Sequence, residues 1–304
     1  MNKVSVIIPT HDRADLLLQS LESINEQIVR PSEVIVVIDG ANEKTERSLK
    51  GFKSKDYQLH VFKIENSKGA CYARNLGAGH ATGSILMFLD DDDTWEPDKI
   101  KSQLNVFEKN PEVGLVYSGK LVVYNTNRKK VIRKIPAIRS GNLYPSIFED
   151  NHIGTTSSVA LKKEVFEKAG GFDDNLLAMQ DYDLWIRCCK YTNIAHDNKY
   201  NVRYTIAKNA QNQISGKSEN HHQALKYLFG KYKDTLEAID SKYKKRFKSS
   251  RYLYLSKAVH RTRYFYSLKY SFKSFYYYPN AKAVAYLLPP FLLEIISVLP
   301  LKRK

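Results

Sequence analysis

Cysteine is scarce in this chain. Only Cys71, Cys188 and Cys189 occur in 304 residues. An odd number without metal-ligand spacing argues against a disulfide framework and points to a reducing compartment and ordinary packing roles. The eight histidines show no paired metal spacing either, and the adjacent His221 and His222 read as surface residues. No secretory signal is expected, because Met1 to Ser5 run straight into the apolar stretch Val4 to Pro9, too short for the core of a signal peptide. No RNA- or DNA-binding signature accompanies the basic residues, so nucleic acid is not an expected partner. What remains is a globular composition, 43% hydrophobic and 26% charged, long enough to bury one large core or two smaller ones.

Charge is spread unevenly. The net charge is +16, yet Lys226 to Lys304 alone holds 18 Lys and Arg against 4 Asp and Glu. More than half of the tyrosines lie there too. The first three quarters of the chain are close to neutral, so the two parts call for separate readings.

The neutral part is organised around ILMFLDDDDTW, Ile85 to Trp95. An apolar run of this length reads as a strand buried on both faces of a parallel sheet. It ends in four aspartates, Asp90 to Asp93. In open α/β sheets ligands bind at the carboxyl ends of the strands. Four adjacent carboxylates repel one another, and a hard divalent cation, Mg²⁺ or Mn²⁺, would relieve that repulsion. The competing reading is a solvated acidic turn. An EF-hand is excluded by the missing loop glycine and terminal glutamate.

Earlier in the chain, Val4 to Pro9 reads as a first buried strand, closed by Pro9 and Thr10, with Asp12 as a cap for the next helix. Leu16, Leu17, Leu21 and Ile24 recur at helical spacing. Glu33 to Ile38 is a second buried strand, ending in Asp39-Gly40, and Leu59 to Ile64 a weaker third. The order predicts right-handed βαβ units and a parallel sheet. Thr10, Asp12, Asp39 and Asp90 to Asp93 would then share one sheet edge. Further on, a helix is expected over Asp98 to Lys109, a strand over Val113 to Tyr117, and two more strands about a turn at Asn125 to Arg128. A return strand over Thr155 to Leu161 and a helix stopped by Gly170-Gly171 follow. Leu184, Trp185 and Cys188 share one face of a helix opening near Asp181. Its free N–H groups and dipole should keep that carboxylate ionised.

Five segments together resemble the family 2 glycosyltransferases of GT-A fold. They are VSVIIPTHDR (Val4 to Arg13), VIVVIDG (Val34 to Gly40), GACYARNLGAGHATG (Gly69 to Gly83), FLDDDDTW (Phe88 to Trp95) and GGFDDNLLAMQDYDLWIR (Gly170 to Arg187). The resemblance covers roughly the first 215 residues, and the ordered set is far more specific than any one motif. It implies a Rossmann-like, mixed, mainly parallel α/β sheet flanked by helices. It also implies that Pro9, Thr10, Asp12 and Asp39 lie at the nucleotide, usually uracil, that Arg74 lies near the donor diphosphate, and that Asp90 faces the ribose with Asp91 beside it. Asp92 holds the last place of Asp-x-Asp and is the implied metal ligand, although four aspartates permit a one-residue shift among Asp91, Asp92 and Asp93. Asp181 occupies the catalytic-base position, with Asp183 as second choice. Gln180 stands where the family carries a glutamate, so the acidic pair is incomplete.

From residue 216 the pattern is helical, a basic, Tyr-rich extension after the GT-A domain of residues 1–215. Tyr227, Leu228, Tyr232, Leu236 and Ile239 fit one amphipathic helix. Ala283 to Leu301 is strongly apolar and flanked by lysines, but Pro289-Pro290 and Glu294 oppose a membrane span. An in-plane anchor on an anionic membrane surface fits better, with a packed helical subdomain as the alternative.

The reading is a metal-dependent, inverting transferase, cytoplasmic and peripheral on the inner face of the cell membrane. It moves a sugar from a nucleotide-diphospho donor, UDP-linked, to a hydroxyl of a glycan or lipid-linked acceptor in surface polysaccharide synthesis. No Gln-x-x-Arg-Trp follows Asp181, which argues against a processive synthase. Two alternatives are a sugar nucleotidyltransferase, which should carry a glycine-rich phosphate loop where Pro9-Thr10-His11-Asp12 stands, and a non-catalytic membrane-surface protein on a degenerate fold. The sequence leaves the donor sugar, the linkage and the oligomeric state open.

Overall fold

A computed structural model describes residues 3–207 and 218–292. In chain order the elements are β1 (Val4–Thr10), α1 (Ala14–Asn25), β2 (Glu33–Asp39), α2 (Glu43–Lys50), β3 (Gln58–Ile64), α3 (Ala70–His80), β4 (Ile85–Phe88) and β5 (Thr94–Trp95). Then come α4 (Lys99–Lys109), β6 (Val113–Tyr124), β7 (Asn127–Ile135), β8 (Val159–Lys162), α5 (Lys163–Lys168), α6 (Gln180–Cys188) and β9 (Asn193–Ile206). The helices α7 (Ser218–Lys231), α8 (Lys233–Ala238), α9 (Ser241–Val259), α10 (Tyr264–Tyr277) and α11 (Ala281–Ala285) complete the described chain.

Among the described residues the strands form one mixed sheet in the order β3-β2-β1-β4-β8-β6-β9-β5, with β7 paired to β6. β3, β2, β1 and β4 are mutually parallel, and β8 runs antiparallel to both β4 and β6. β1, β2 and β4 are buried along their whole length, which is why their sequences are continuous apolar runs rather than alternations. One face presents Val6, Ile8, Val34, Val36 and Met87 to a core that includes Leu17, Leu21 and Ile24 of α1. Each such side chain contributes roughly 1.5–3 kcal/mol on burial. The other face meets α3 so closely that a Cβ on Gly77 would stand 2.6 Å from Ile7 Cγ2.

Several expectations needed correction. The helix α2 went unread because Thr45 and Leu49 are its only buried residues, too few for a periodic signal. Asp12 does not cap α1: the cap position is Arg13, without a side-chain bond, and Asp12 sits at φ 53° with its carboxylate taking the Asn42 amide at 2.5 Å. The strand beginning at Val113 does not stop at Tyr117 but runs to Tyr124, because β9 pairs with it throughout.

The described residues fall into two compact units. The larger holds the sheet and its helices, including Asn151–Leu176 and the chain from Gln180 through β9. The smaller holds Pro145–Asp150, Leu177–Met179 and the helices from α7 onward. In the smaller unit α9 and α10 meet through serines, with Ser249 to Ser274 at 3.1 Å and Ser256 to Ser267 at 2.9 Å; small side chains let the helix backbones approach. Phe247 is the aromatic hub, edge-on to Phe148 and Phe229. The helix expected from Tyr227 to Ile239 is divided at Tyr232, just after Gly230. His221 is not a surface residue: it is 2% exposed and edge-on to Tyr254, on the inward face of α7. Ile214 and Ser215, a pair that also matches the resembled family, and residues 293–301 of the apolar terminus lie outside the described residues. Among the described residues no helix is long and apolar enough to cross a membrane.

Candidate active site

The carboxyl ends of β1, β2 and β4 lie along one edge of the parallel sheet, and the polar residues that close those strands gather there. Pro9 is buried at the end of β1, past the last residue paired with β4, so its missing N–H costs nothing on that side. Thr10 donates its hydroxyl to Asp91 at 2.8 Å. Asp39 closes β2 and accepts from Ser67 Oγ at 2.8 Å, Lys68 N at 2.7 Å and Gly69 N at 2.9 Å. That triad fixes the loop leading into α3, whose entry residue Gly69 has φ 91°, a conformation that favours glycine. Asp39 Oδ1 takes only one of the three bonds, so a lone pair stays open to an incoming N–H.

The four aspartates are not equivalent. The turn closes with Asp93 N donating to Asp90 O at 3.0 Å, and Ser20 of α1 clamps it by donating to the carbonyls of Asp91 and Asp93. Asp91 and Asp93 then turn inward, 5% and 1% exposed. Asp90 and Asp92 keep about a quarter of their side chains open, 25% and 23%. Asp91 is held by Thr10 and by Arg13 Nη1 at 3.2 Å. Asp93 accepts from Thr205 N at 2.9 Å, and burial raises its carboxyl well above the usual range. The same Arg13 Nη1 reaches Asp92 Oδ2 at 3.1 Å. Burial first, then Asp90 and Asp91, push the Asp92 carboxyl up to about 6. The outward, spaced pair is therefore Asp90-x-Asp92, and Asp91 faces the scaffold.

Arg74 projects from α3 and is 7% exposed. Its Nη2 donates to Asp90 Oδ1 at 2.6 Å and its Nη1 to Gln180 Oε1 at 3.3 Å. The guanidinium also lies over the Phe172 ring at 5.3 Å. Gln180 is a neutral amide, its Nε2 tied to Leu176 O, so among the described residues the ion pair of Arg74 is with Asp90.

Asp181 stands in the first turn of α6, following Met179 at φ 59°, a strained value for a non-glycine residue. Its Oδ1 accepts the N–H of Tyr182 at 2.7 Å and its Oδ2 faces Asn151 Nδ2 at 3.4 Å. The helix end was expected to keep this carboxylate ionised, and the enclosure of the side chain works in the opposite direction. Burial dominates and raises its pKa, against the Tyr182 N–H and the Lys120 charge. Asp183 is 0% exposed and paired with Arg187 at 2.7 Å, an internal tie within α6.

Two cations at this edge escaped the sequence reading. Lys120 of β6 feels Asp181 and Asp93 and lies over the Tyr204 ring at 4.8 Å. Arg128 of β7 donates to Asp92 O at 3.1 Å. Both arrive on the β6–β7 hairpin, and only the pairing of β6 with β9 and β8 brings that hairpin to the aspartates. No local motif marks either residue.

Among the described residues no three His, Cys, Asp or Glu side chains converge as a metal cage. A Mg²⁺ or Mn²⁺ ion shared with a diphosphate needs only one or two carboxylates. The outward pair fits that demand: both are hard oxygen donors, and the raised Asp92 would gain from a cation.

The mixed, mainly parallel sheet flanked by helices is of the GT-A type. The chain belongs to glycosyl transferase family 2, whose pattern matches residues 5–170. It is 29% identical over 237 residues to an uncharacterized glycosyltransferase of Haemophilus influenzae, covering 77% of this chain and 78% of that one. It is 28% identical over 192 residues to the amylovoran biosynthesis glycosyltransferase AmsB of Erwinia amylovora, covering 61% and 64%. In fold it is similar to S. aureus TarS residues 1–349 in complex with UDP-GlcNAc, with a TM-score of 0.59 at 14% identity over 93% of this chain and 89% of that one.

Proposed function

We propose that this glycosyltransferase is inverting and metal-dependent, and that it takes its sugar from a UDP-linked donor. The observation that carries the reading is the outward pair Asp90 and Asp92 beside Arg74, with Asp181 close enough to feel both Asp90 and Arg74. Asp39, through the open lone pair of Oδ1, would receive an N–H of the base. Pro9 and Thr10 would back that pocket, and Asp12 would lie at its rim. Asp90 would face the ribose, with Arg74 orienting it and countering the diphosphate charge. Asp91 would act from beneath, holding Arg13 and Thr10. The UDP-GlcNAc bound by the TarS structure supports the choice of uridine.

Asp92, with Asp90 beside it, would hold Mn²⁺ or Mg²⁺, which when bound supplies charge neutralisation of a departing diphosphate. Asp181 would accept the proton of an acceptor hydroxyl while that oxygen forms its bond to the anomeric carbon. The bond to the diphosphate breaks on the opposite face and its electron pair leaves with UDP, so the carbon is inverted. Lys120 would counter the charge on Asp181.

The basic helical extension, residues 216–304, would hold the enzyme peripherally on the anionic inner face of the cell membrane, where a glycan or lipid-linked acceptor of surface polysaccharide synthesis is met. Its 18 cations against 4 acids from Lys226 onward support that reading.

The test is thermal stability of the purified protein with UDP, GDP, dTDP or CDP, each with and without Mn²⁺. Ligands that bind the native state raise its melting temperature. A rise for UDP that needs Mn²⁺ and vanishes in Asp92→Ala is expected; a rise indifferent to Mn²⁺ and to that substitution would sink the metal reading. The anomeric configuration of the product, read by NMR, tests inversion.

A further inference from the structure

The helical unit carries a groove of 510 Å³ that the transfer chemistry does not use, formed by α7, α9 and the start and body of α10. Its floor is Leu225, Leu255 and Val259, all under 5% exposed. Its walls are aromatic: Tyr252 stacks on Tyr270 at 6.4 Å and 18°, and the Tyr270 hydroxyl bonds His222 Nδ1 at 3.1 Å. Its rim is cationic. Lys226, Arg263, Lys269 and Lys273 face it, against the single carboxylate of Glu219. None of these four cations forms an ion pair among the described residues, and Lys273 lies over the Tyr252 ring at 5.1 Å. Four unneutralised cations around an aromatic cleft repel one another unless an anion joins them.

A second observation concerns the adjoining face of α10. Phe265, Phe272 and Tyr276 are 83%, 60% and 83% exposed. Their spacing of seven and four residues sets them along one side of the helix, with Lys269 between them. Large aromatics left in water beside lysines are costly on a freely dissolved surface, but they match a membrane interface, where rings settle at headgroup level and lysines reach phosphates.

We propose that this groove binds the phosphate group of an anionic lipid, with the aromatic side of α10 resting in the interface beside it. The rim cations take the phosphate oxygens. Tyr266 and Tyr270 flank the glycerol or first carbons of the chain. Phe265 and Phe272 enter the headgroup layer. This deepens the membrane contact proposed above and rests on it: contact with the membrane is localised to one groove rather than spread over the basic extension.

The experiment is co-sedimentation of the full chain with phosphatidylcholine vesicles, with or without phosphatidylglycerol, in the absence of donor. Wild type should bind the phosphatidylglycerol vesicles alone. Removing three rim charges, in Arg263→Gln/Lys269→Gln/Lys273→Gln, should weaken binding by about 100-fold, since each cation near an anionic surface is worth roughly a factor of 5. The same charge removed outside the groove, in Lys242→Gln/Lys245→Gln/Lys282→Gln, should cost much less. Equal losses from the two triple variants would overturn the groove while leaving a diffuse membrane contact intact. Absence of wild-type binding would overturn both. Phe272→Ser, on the exposed face, should weaken vesicle binding without lowering the melting temperature; unchanged binding would remove the aromatic part. Inorganic phosphate alone is the last arm. If it stabilises wild type but not the rim variant, and vesicles do not bind, the groove serves free phosphate and the lipid assignment falls.

Discussion

Arg74 and Asp90 are joined across the site by a 2.6 Å ion pair from the middle of α3 to the second residue after β4. Arg74 also reaches Gln180 at the start of α6, so one guanidinium ties three segments of the candidate site. Arg74→Met should destabilise the protein by about 2–4 kcal/mol, toward the lower end because Asp90 keeps part of its surface open. It should also reduce transfer by at least ~100-fold. Arg74→Lys should recover little, because an ammonium lacks the fork that serves Asp90 and Gln180 together. Urea unfolding and release of nucleoside diphosphate measure the two effects. Full activity in Arg74→Lys would show that only charge matters here.

The inward and outward aspartates should separate by experiment. Asp91→Ala strips Thr10 and Arg13 of their shared acceptor, an expected loss of roughly 2–3 kcal/mol of stability. Asp92→Ala removes a carboxyl that burial and two neighbouring acids already disfavour, so its stability should stay within ~1 kcal/mol of wild type while Mn²⁺-dependent nucleotide binding disappears. Reversed phenotypes would shift the metal-facing position by one residue. Unfolding curves and nucleotide titrations of both variants decide it.

How much of this was legible follows from where the information lies. β1, β2 and β4 announce themselves because central parallel strands are apolar throughout. β3 is weak because it is an edge strand, mostly exposed. The ordered motifs pointed to the residues that gather at this sheet edge, and the roles given to them come from the resemblance. They did not deliver which aspartates face out, since Ser20, Thr10 and Thr205 settle that from distant parts of the chain. Nor did they deliver Lys120 and Arg128, which reach the site only through strand pairing. The upward shift of the Asp181 pKa was hidden for a related reason: a helix end is visible in sequence, but the protein walls around a carboxyl are not.

The Asp181 carboxyl is raised by burial and held down in part by Lys120. An acid whose folded pKa lies above its unfolded value loses stability as pH rises from the unfolded pKa through the folded one. Asp181→Asn should therefore be at least as stable as wild type at pH 7–8, while transfer falls by ~10²-fold or more. If Asp181 is the base, the rate rises with pH through its folded pKa. Lys120→Met removes the cation that lowers that pKa, so the acid limb of the rate profile should move to higher pH. A limb that stays in place would dissociate Lys120 from Asp181, and a limb that moves down would contradict the geometry.

Lys99 offers a pH signal that is independent of the active site. Its side chain is fully buried, over the Trp95 ring at 4.9 Å, donating to Gln103 and to Ser158 O. Burial pushes its pKa down to about 7, against the attraction of Asp197. Between that value and the unfolded lysine value near 10.4, the unfolded chain binds a proton that the folded chain does not. Stability contributed at this position must then rise with pH across that window, by at most about 1.4 kcal/mol per pH unit. Below pH 7 the ammonium is buried with its full penalty. Lys99→Met removes the penalty but leaves Gln103 Oε1 without its donor, so the sign of the difference at any one pH is set by that contest. The slope is not. Wild type should gain on Lys99→Met steadily as urea midpoints are taken from pH 7 to pH 9.5, and a difference that stays flat would mean that Lys99 remains charged inside the fold.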